Sequence, residues 1–353
     1  MAAVSHMTNN HRQGTRWRWG SVAAKLLRVW TFPCGAALLA YLLYRFGSAR
    51  VWLDLRSIGW RLVMIVVLEV GVSAASARGW WHTFPGRIRR GCFRRLFLVQ
   101  LAGSALNEAT PGAPLGGEPV KVLLLKDQFP VAVTTATLLS AKLAQALARA
   151  LFVILGILAA SSSLKFERLP VWSLALGFVL TGAGVGTFMA LQLRGFSGMA
   201  RRLSSRLGFL GGWIQRIEHG LGRVDEHLQE LYRSRPLDFV AAVALALGGL
   251  GLGVVQIWLM MAWIGLRPDW LSSLTIEAFS VLVGFVMFAV PGTLGVQEGG
   301  KLLIFAALGL PLSAGLSIGV AFRLNNLVTL AAGFGVLAWL RPHKAFQAAP
   351  AER

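Results

Sequence analysis

The chain has 353 residues, of which 55% are hydrophobic and only 14% are charged, whereas a soluble globular domain carries about 25% charged residues. Its 35 lysines and arginines nevertheless outnumber its 15 acidic residues, which gives a formal net charge of +20. A chain that is both apolar and basic indicates an integral membrane protein with basic loops, and it disfavours soluble enzymes, nucleic-acid-binding proteins and secreted disulfide scaffolds.

Six apolar segments are candidates for crossing a bilayer, which takes about 20 mostly apolar residues in a helix. We interpret the first as an uncleaved helix, because no convincing small-residue cleavage site follows it. The segments are Val29–Phe46, Leu62–Ala77, Val131–Ala160, Val171–Leu191, Phe239–Leu266 and Leu312–Leu340. The sequence therefore predicts an all-α polytopic membrane protein.

Two further apolar regions are interrupted by glycine and proline. The region Leu96–Leu125 contains NEATPGAPLGGEP at 107–119, and the region Leu271–Leu310 contains PGTLGVQEGGK at 291–301. Such density of Pro and Gly does not continue a helix, and bare backbone in lipid costs several kcal/mol per polar group. We predict two broken or re-entrant hairpins, and two full crossings per region are equally compatible with the sequence.

A segment of different character lies between the fourth and fifth apolar segments. From Arg194 to Arg235, apolar residues recur every three or four positions among eight arginines, which is the period of an amphipathic helix. We interpret residues 194–235 as a cytoplasmic insertion whose helix lies on the membrane surface.

The distribution of basic residues predicts the orientation of the chain. Residues 1–28, 78–95 and 192–237 and the tail after Leu340 contain 22 of the lysines and arginines. The alternate loops contain only six, at 47–61, 161–170 and 265–271. Because cytoplasmic loops are enriched in Lys and Arg, both termini are predicted to be cytoplasmic in a multi-pass protein of a bacterial inner membrane.

The two interrupted regions have matching landmarks. After Pro111 come Glu118, Lys121, Pro130 and Lys142, at spacings of 7, 10, 19 and 31 residues. After Pro291 come Glu298, Lys301, Pro311 and Arg323, at 7, 10, 20 and 32 residues. With the predicted orientation, residues 29–160 and 171–340 form an inverted-topology repeat of one membrane domain, a plan that many secondary transporters share.

The charged members of this series are the candidate site residues, because charges within lipid are costly. Glu118 with Lys121, and Glu298 with Lys301, are three residues apart and share a helix face. They are either self-paired structural bridges or a site where the lysines meet an anionic group while the glutamates gate or carry protons. Lys142 and Arg323 either form ion pairs with the glutamates or bind phosphate.

Other residues complete this prediction. Asn107 and Gln297 are candidate lining residues, and the hairpin backbone depends on Pro111, Gly117, Pro291, Gly292 and Gly295. Glu69 and Glu277 lie in apolar segments without a repeat counterpart, so we rank them lower. No histidine lies inside a long apolar segment, and no nucleotide-binding motif occurs, so we predict neither a metal site, a cofactor nor enzymatic activity.

The chain resembles the flippase-like family of the lysylphosphatidylglycerol synthase transmembrane region in three features. They are PGAPLGGEPVKVLLLK at 111–126, AVPGTLGVQEGG at 289–300 and the later Arg323. The wording of the second motif is similar to the hopanoid-biosynthesis-associated branch. The resemblance implies an inner-membrane protein that translocates or handles lipids. At Ala141–Lys142 the chain departs from the Glu-Arg type of pair that the family implies.

The resemblance also bears on partners. Bifunctional members carry a soluble aminoacyl-transfer domain after the membrane region, and we expect lysyl transfer to be absent here. The expected function is a lipid flippase or transporter for an anionic or polyprenyl/hopanoid-type lipid, with membrane lipids as partners and no nucleic acid. The alternative is a non-catalytic membrane subunit that anchors lipid-biosynthetic proteins. The sequence does not specify an oligomeric state.

Overall fold

The computed structural model of the protein describes residues 48–86, 88–89, 91–109, 116–163, 211–267, 269–286 and 296–340, and a few isolated positions elsewhere. Ten α-helices lie within these ranges, which contain no strand. The helices are α1 Ser48–Ile58, α2 Leu62–Thr83, α3 Phe93–Ala109, α4 Gly117–Leu125, α5 Val131–Ser163, α6 Gly211–Ser234, α7 Pro236–Trp263, α8 Trp270–Val286, α9 Val296–Ala307 and α10 Leu312–Leu340.

Four helical stretches of the described chain are long and apolar enough to cross a membrane. They are Ala49–Thr83, Val131–Ala160, Pro236–Trp263 and Leu312–Leu340. Each overlaps a segment predicted to span, and the first extends well beyond Leu62–Ala77, so the all-α polytopic membrane fold is confirmed. The predicted segments 29–46 and 171–191 lie outside the described residues, apart from isolated positions.

The predicted outer loop at 47–61 is helical instead from Ser48 onward. It forms α1 and a 3₁₀ turn, Gly59–Arg61, that leads directly into α2. The carboxylate of Asp54 is buried beside α10, where Ser317 Oγ donates a hydrogen bond of 2.6 Å to Asp54 Oδ2. The three arginines of this segment therefore decorate a helix with a buried side.

Both interruptions separate a 17-residue helix from a short one. Helix α3 ends at Ala109 and α4 begins at Gly117, while α8 ends at Val286 and α9 begins at Val296; residues 110–115 and 287–295 lie outside the described residues. The predicted interruption at 107–119 was therefore too long at both ends, since Pro119 is tolerated in the first helical turn, where its missing N–H has no partner to lose. At 9 and 12 residues, α4 and α9 are about 14 and 18 Å long, shorter than a hydrocarbon core of about 30 Å.

The order of the helices repeats along the chain. Helices α2, α3, α4 and α5 have 22, 17, 9 and 33 residues, and α7, α8, α9 and α10 have 28, 17, 12 and 29. The halves interlock: α2 packs on α7, α3 on α10, and α8 on α5. The predicted boundaries of the repeat, and its inverted topology, stay predictions.

Glycines allow close approach where α5 crosses α8 and where α3 crosses α10. A Cβ added to Gly156 would lie 2.1 Å from Ala278 Cβ, and one added to Gly333 would lie 2.5 Å from Ala105 Cβ. Small residues are used for such contacts in membrane proteins because they bring helix backbones together. These crossings set the positions of α3 and α5, which hold the first half of the candidate site.

The amphipathic segment forms α6, and the part of it before residue 211 lies outside the described residues. Its apolar residues Val224 and Leu228 are buried against Ala136 of α5. Burial raises the pKa of Tyr232 to about 12, although the phenol hydrogen-bonds with Ser140 of α5. The C-terminal part of α6 is thus attached to the helix bundle, while its location on the membrane surface stays a prediction.

Candidate functional site

The carboxylate of Glu118 in α4 gathers groups from three helices. Its Oε1 accepts a hydrogen bond of 2.9 Å from Asn107 Nδ2 of α3 and one of 3.2 Å from Lys121 Nζ of α4. Lys142 Nζ of α5 lies 2.7 Å from the same oxygen. We call Glu118, Asn107, Lys121 and Lys142 the first pair site.

Two glycines make this arrangement possible. The side chain of Lys121, which is 1% exposed, crosses Gly103, where an added Cβ would lie 2.2 Å from Lys121 Cε. A Cβ on Gly117 would lie 2.0 Å from the carbonyl oxygen of Gly103. The Gly117 N–H also donates to Asn107 Oδ1 at 2.8 Å, which satisfies one of the free N–H groups at the start of α4.

The second half of the chain contains a corresponding ion pair. Glu298 of α9 is 2% exposed, and its Oε1 accepts from Arg323 Nε at 2.9 Å, with Arg323 Nη2 also at 2.9 Å. Arg323 lies on α10, as Lys142 lies on α5. We call Glu298 and Arg323 the second pair site. In both sites the base of the following long helix binds the glutamate of the short helix.

The two lysines at the third position behave differently. Lys121 does pair with Glu118, as the spacing predicts. Lys301 does not form the corresponding bridge: within the described residues no carboxylate lies at ion-pair distance from it, and its Nζ stands 4.7 Å from the ring centre of Phe322. Glu277 of α8 and Glu298 are nevertheless near enough to act on its charge. The pairing of glutamate and lysine that the spacing predicts is therefore formed by the first lysine only.

Each pair site leaves one carboxylate oxygen without a partner in the described part of the chain. These atoms are Glu118 Oε2 and Glu298 Oε2, and both are buried. A buried oxygen that accepts no hydrogen bond costs about 1–3 kcal/mol. Both sites can therefore accept one more donor, either from water or from a hydroxyl or amine of a bound molecule.

The pair sites differ in charge and access. One carboxylate and two ammonium groups give the first pair site a formal charge of +1, whereas Glu298 and Arg323 cancel. The side chain of Lys142 is 37% exposed, while those of Lys121 and Glu298 are 1% and 2% exposed. Lys142 is therefore the accessible cation of the first pair site, and an anionic group can reach it without entering the packed interior.

Several predicted residues lie outside this geometry. Gln297 belongs to α9, but its side chain is outside the described residues, as are Pro111, Pro291, Gly292 and Gly295. In the described ranges, no three His, Cys, Asp or Glu side chains come together as metal ligands.

Glu69 and Glu277, which the sequence ranked low as site residues, both lie against α7. Gln256 Nε2 of α7 donates to Glu69 Oε2 of α2 and to the carbonyl oxygen of Ile65, each at 3.2 Å. Glu277 of α8 lies beside the same helix, against Gly253. The sequence signal for both glutamates is a carboxylate inside an apolar segment. Neither has a counterpart in the other repeat, which is why the prediction ranked both of them low.

A second polar cluster joins three parts of the chain at the predicted cytoplasmic end. Asp238 at the start of α7 binds His82 Nδ1 at 3.0 Å, Arg89 Nη1 at 2.7 Å and Arg235 Nε at 2.8 Å. Arg235 also donates to the carbonyl oxygens of His82 and Phe84. This clamp holds the loop after α2 against the start of α7.

We expect Asp238→Asn to loosen this clamp. The amide keeps the shape but loses the charge that faces three partners, and a hydrogen bond to a charged group contributes about 1.5–3 kcal/mol. Limited proteolysis of purified protein is expected to cut the 84–92 loop faster in the variant. Asp127→Asn, at an exposed site, is the control, and equal cleavage of the two variants would contradict the role of the clamp.

Comparison with known families decides where the chain belongs. The family model described as the lysylphosphatidylglycerol synthase transmembrane region matches residues 22–333. The chain belongs to this family. The match includes both pair sites and all of the described helices except the end of α10 after residue 333, and it supports a membrane protein tied to lipid handling. Searches of curated proteins and of solved structures returned no match. Assignment to the hopanoid-associated branch stays a prediction.

Proposed function

We propose that this member of the lysylphosphatidylglycerol synthase transmembrane-region family moves an anionic lipid across the bacterial inner membrane without changing it chemically. The observation that carries the proposal is the pair of equivalent sites. In each half, a glutamate at the start of a short helix binds the base of the next long helix, beside one of the predicted interruptions. Charged groups within apolar helices are costly, so their presence in both halves favours a role in function.

The first pair site supplies the recognition in this proposal. Its net charge of +1 and the accessible Lys142 suit a phosphate-bearing headgroup, whose negative charge the site would neutralise. Uncharged acyl chains can remain in the bilayer while the headgroup passes between the halves. The proposal assigns the polar surface of this path to the two interruptions that the sequence predicts, because irregular backbone at membrane depth is tolerated only inside protein or beside water. Re-entrant hairpins and cytoplasmic termini are parts of this proposal.

The test is lipid movement in liposomes that contain the purified full-length chain. A fluorescent anionic lipid and a fluorescent zwitterionic lipid are compared, each scored by the fraction that a membrane-impermeant quencher can reach. We expect faster movement of the anionic lipid. Glu118→Gln, Glu298→Gln and Lys142→Gln are expected to slow it about 10–100-fold, which corresponds to losing a charged hydrogen bond of about 1.5–3 kcal/mol.

Glu226→Gln is the matched control, because this glutamate of α6 is exposed and distant in sequence from both pair sites. It is expected to match the unchanged chain. If no lipid moves, and the pair-site variants also behave normally in cells while arginine variants of the 78–95 loop fail, the chain is instead a non-catalytic partner of lipid-biosynthetic proteins. Turnover of a lipid by the purified protein would contradict the absence of enzymatic activity.

A further inference from the structure

Two carboxylates outside both pair sites meet on one face of α7. Glu69 of α2 accepts the hydrogen bond from Gln256, whose side chain is 2% exposed. Glu277 of α8 lies against Gly253, where an added Cβ would be 2.6 Å from Glu277 Oε1. Positions 253 and 256 are three residues apart and therefore face the same side of the helix. Glu69 is near enough to Glu277 for its charge to act on that carboxylate.

The charges around this pair leave one negative charge uncompensated. On α9, Lys301 acts on Glu277. On α3, the exposed Glu108 acts on Glu69 and adds further negative charge. Among the described residues of α7 and α10, the amides Gln256 and Asn325 act on Glu69, while Arg323 of α10 acts on Lys301. The two bases of α5 lie elsewhere, since Lys142 binds Glu118 and Arg149 is on an exposed side of its helix. Glu69, Glu277 and Lys301 alone give a formal charge of −1, before the charge of Glu108 is added.

Asn325 of α10 is a second, independent sign of a bound species. Its side chain is fully buried and its amide faces the Glu69 carboxylate, yet neither Oδ1 nor Nδ2 forms a hydrogen bond of good geometry in the described part of the chain. An amide that is buried in this way costs about 1–3 kcal/mol for each unmet group. A proton on the neighbouring carboxyl group would supply a donor for Oδ1, and that proton would also remove the uncompensated charge.

We infer that Glu69 and Glu277 together bind one proton, and that this shared proton is the coupling ion for the lipid movement proposed above. Both carboxylates are partly buried, and a neighbouring like charge disfavours the ionisation of both at once, so one proton serves the pair. The proton arrives from water on one side of the membrane and leaves to water on the other, and no covalent bond to the lipid forms or breaks. The coupling part of this inference depends on the proposed function, whereas the proton site does not.

Lys301 links the proton site to the second pair site. It lies on α9, three residues after Glu298, and both Glu277 and Glu298 act on its charge. When the carboxylates share a proton, Lys301 loses part of its attraction toward α8. Because part of the compensating negative charge is gone, the net electrostatic potential at Glu298, and at any anion near Arg323, becomes more positive. Protonation thus changes the charge that a lipid headgroup would meet in the second half of the chain.

Infrared difference spectroscopy of the full-length protein in lipid nanodiscs tests the proton site directly. Lowering the pH is expected to increase the C=O stretch of a protonated carboxyl group. Glu277→Gln and Glu69→Gln are each expected to remove this band, and the exposed Glu226→Gln is expected to leave it. An unchanged spectrum in both variants would overturn the inference. Glu277→Asp, which keeps a carboxyl group, is expected to retain the band with a shifted midpoint if the glutamine variant does not fold.

Liposomes with a pH difference test the coupling. With one proton per lipid, a difference of one pH unit is expected to hold about a tenfold ratio of the fluorescent anionic lipid between the leaflets, since one unit corresponds to about 1.4 kcal/mol. Glu277→Gln is expected to equilibrate the lipid to equal amounts at any pH difference. A ratio that follows a sodium gradient instead would overturn the assignment of the proton.

The two experiments separate the inference from the proposed function. A pH-dependent band together with no lipid movement would leave the proton site standing and remove the transport function. Lipid movement without the band, and without any response to the pH difference, would keep the transport function and remove this inference.

Discussion

Replacing Gly117 with valine is expected to prevent α4 from packing on α3 and to abolish recovery of folded protein. An added Cβ would lie 2.0 Å from the carbonyl oxygen of Gly103, far inside van der Waals contact. Overpacking usually costs about 1–3 kcal/mol because side chains can shift, but here the neighbour is a backbone oxygen, so the cost is expected at the upper end or above it. Gly117 also positions the N–H that donates to Asn107.

The measurement is the yield of monodisperse protein after extraction, together with its thermal unfolding. Gly251→Val is the matched control, because this glycine also lies in a helix and a Cβ there meets nothing within 4 Å. The control bears the same propensity cost of a β-branched residue, so the difference between the two variants reports the clash alone. Equal yield and equal unfolding temperature for both variants would show that α4 does not pack closely at this point.

The sequence predicts two interruptions from their prolines and glycines, but it does not predict the ends of the described helices beside them. Proline and glycine mark both interruptions because they remove a hydrogen-bond donor or leave the backbone unconstrained. The exact ends depend on tertiary contacts. Helix α3 continues to Ala109, and Asn107 in its last turn hydrogen-bonds with both Glu118 and the start of α4. Residue spacing alone does not predict this contact between α3 and α4.

The same limit explains the pairing within the sites. Spacing predicted that a glutamate and bases would recur in each half, and the structure brings Glu118 to Lys142 and Glu298 to Arg323. It did not predict that Lys121 pairs while Lys301 lies over Phe322. Lys121 runs along the surface that Gly103 leaves open, so the direction of the side chain depends on a residue from another helix.

Residues without a repeat counterpart were the hardest to rank. Glu69 and Glu277 are brought together by α7, because Gly253 leaves room for one carboxylate and Gln256 holds the other. Only the packing of α2, α7 and α8 reveals that these four positions belong together. The helical form of 48–58 was missed for a related reason, since its arginines indicated a loop, whereas Asp54 and its partner Ser317 are brought together only by the packing of α1 on α10.

The cost of removing the base is expected to differ greatly between the two pair sites. Arg323→Ala leaves Glu298, which is 2% exposed, without the base that binds its Oε1, while its Oε2 already lacks a partner in the described chain. Breaking a buried ion pair on one side costs about 3–5 kcal/mol, because an uncompensated charge remains. Lys142→Ala leaves Glu118 with Lys121 and Asn107, and Lys142 is itself partly exposed, so we expect about 1 kcal/mol.

Denaturant unfolding of the purified variants measures this difference, and a double variant separates stability from function. Glu298→Leu with Arg323→Met replaces both charges by apolar groups of similar size, which is often neutral or stabilising for a buried pair. The double variant is therefore expected to regain most of the stability that Arg323→Ala loses, yet to move lipid no better than Arg323→Ala does. If the double variant moved lipid at the normal rate, the Glu298–Arg323 pair would be structural, and only the first pair site would remain a candidate for headgroup binding.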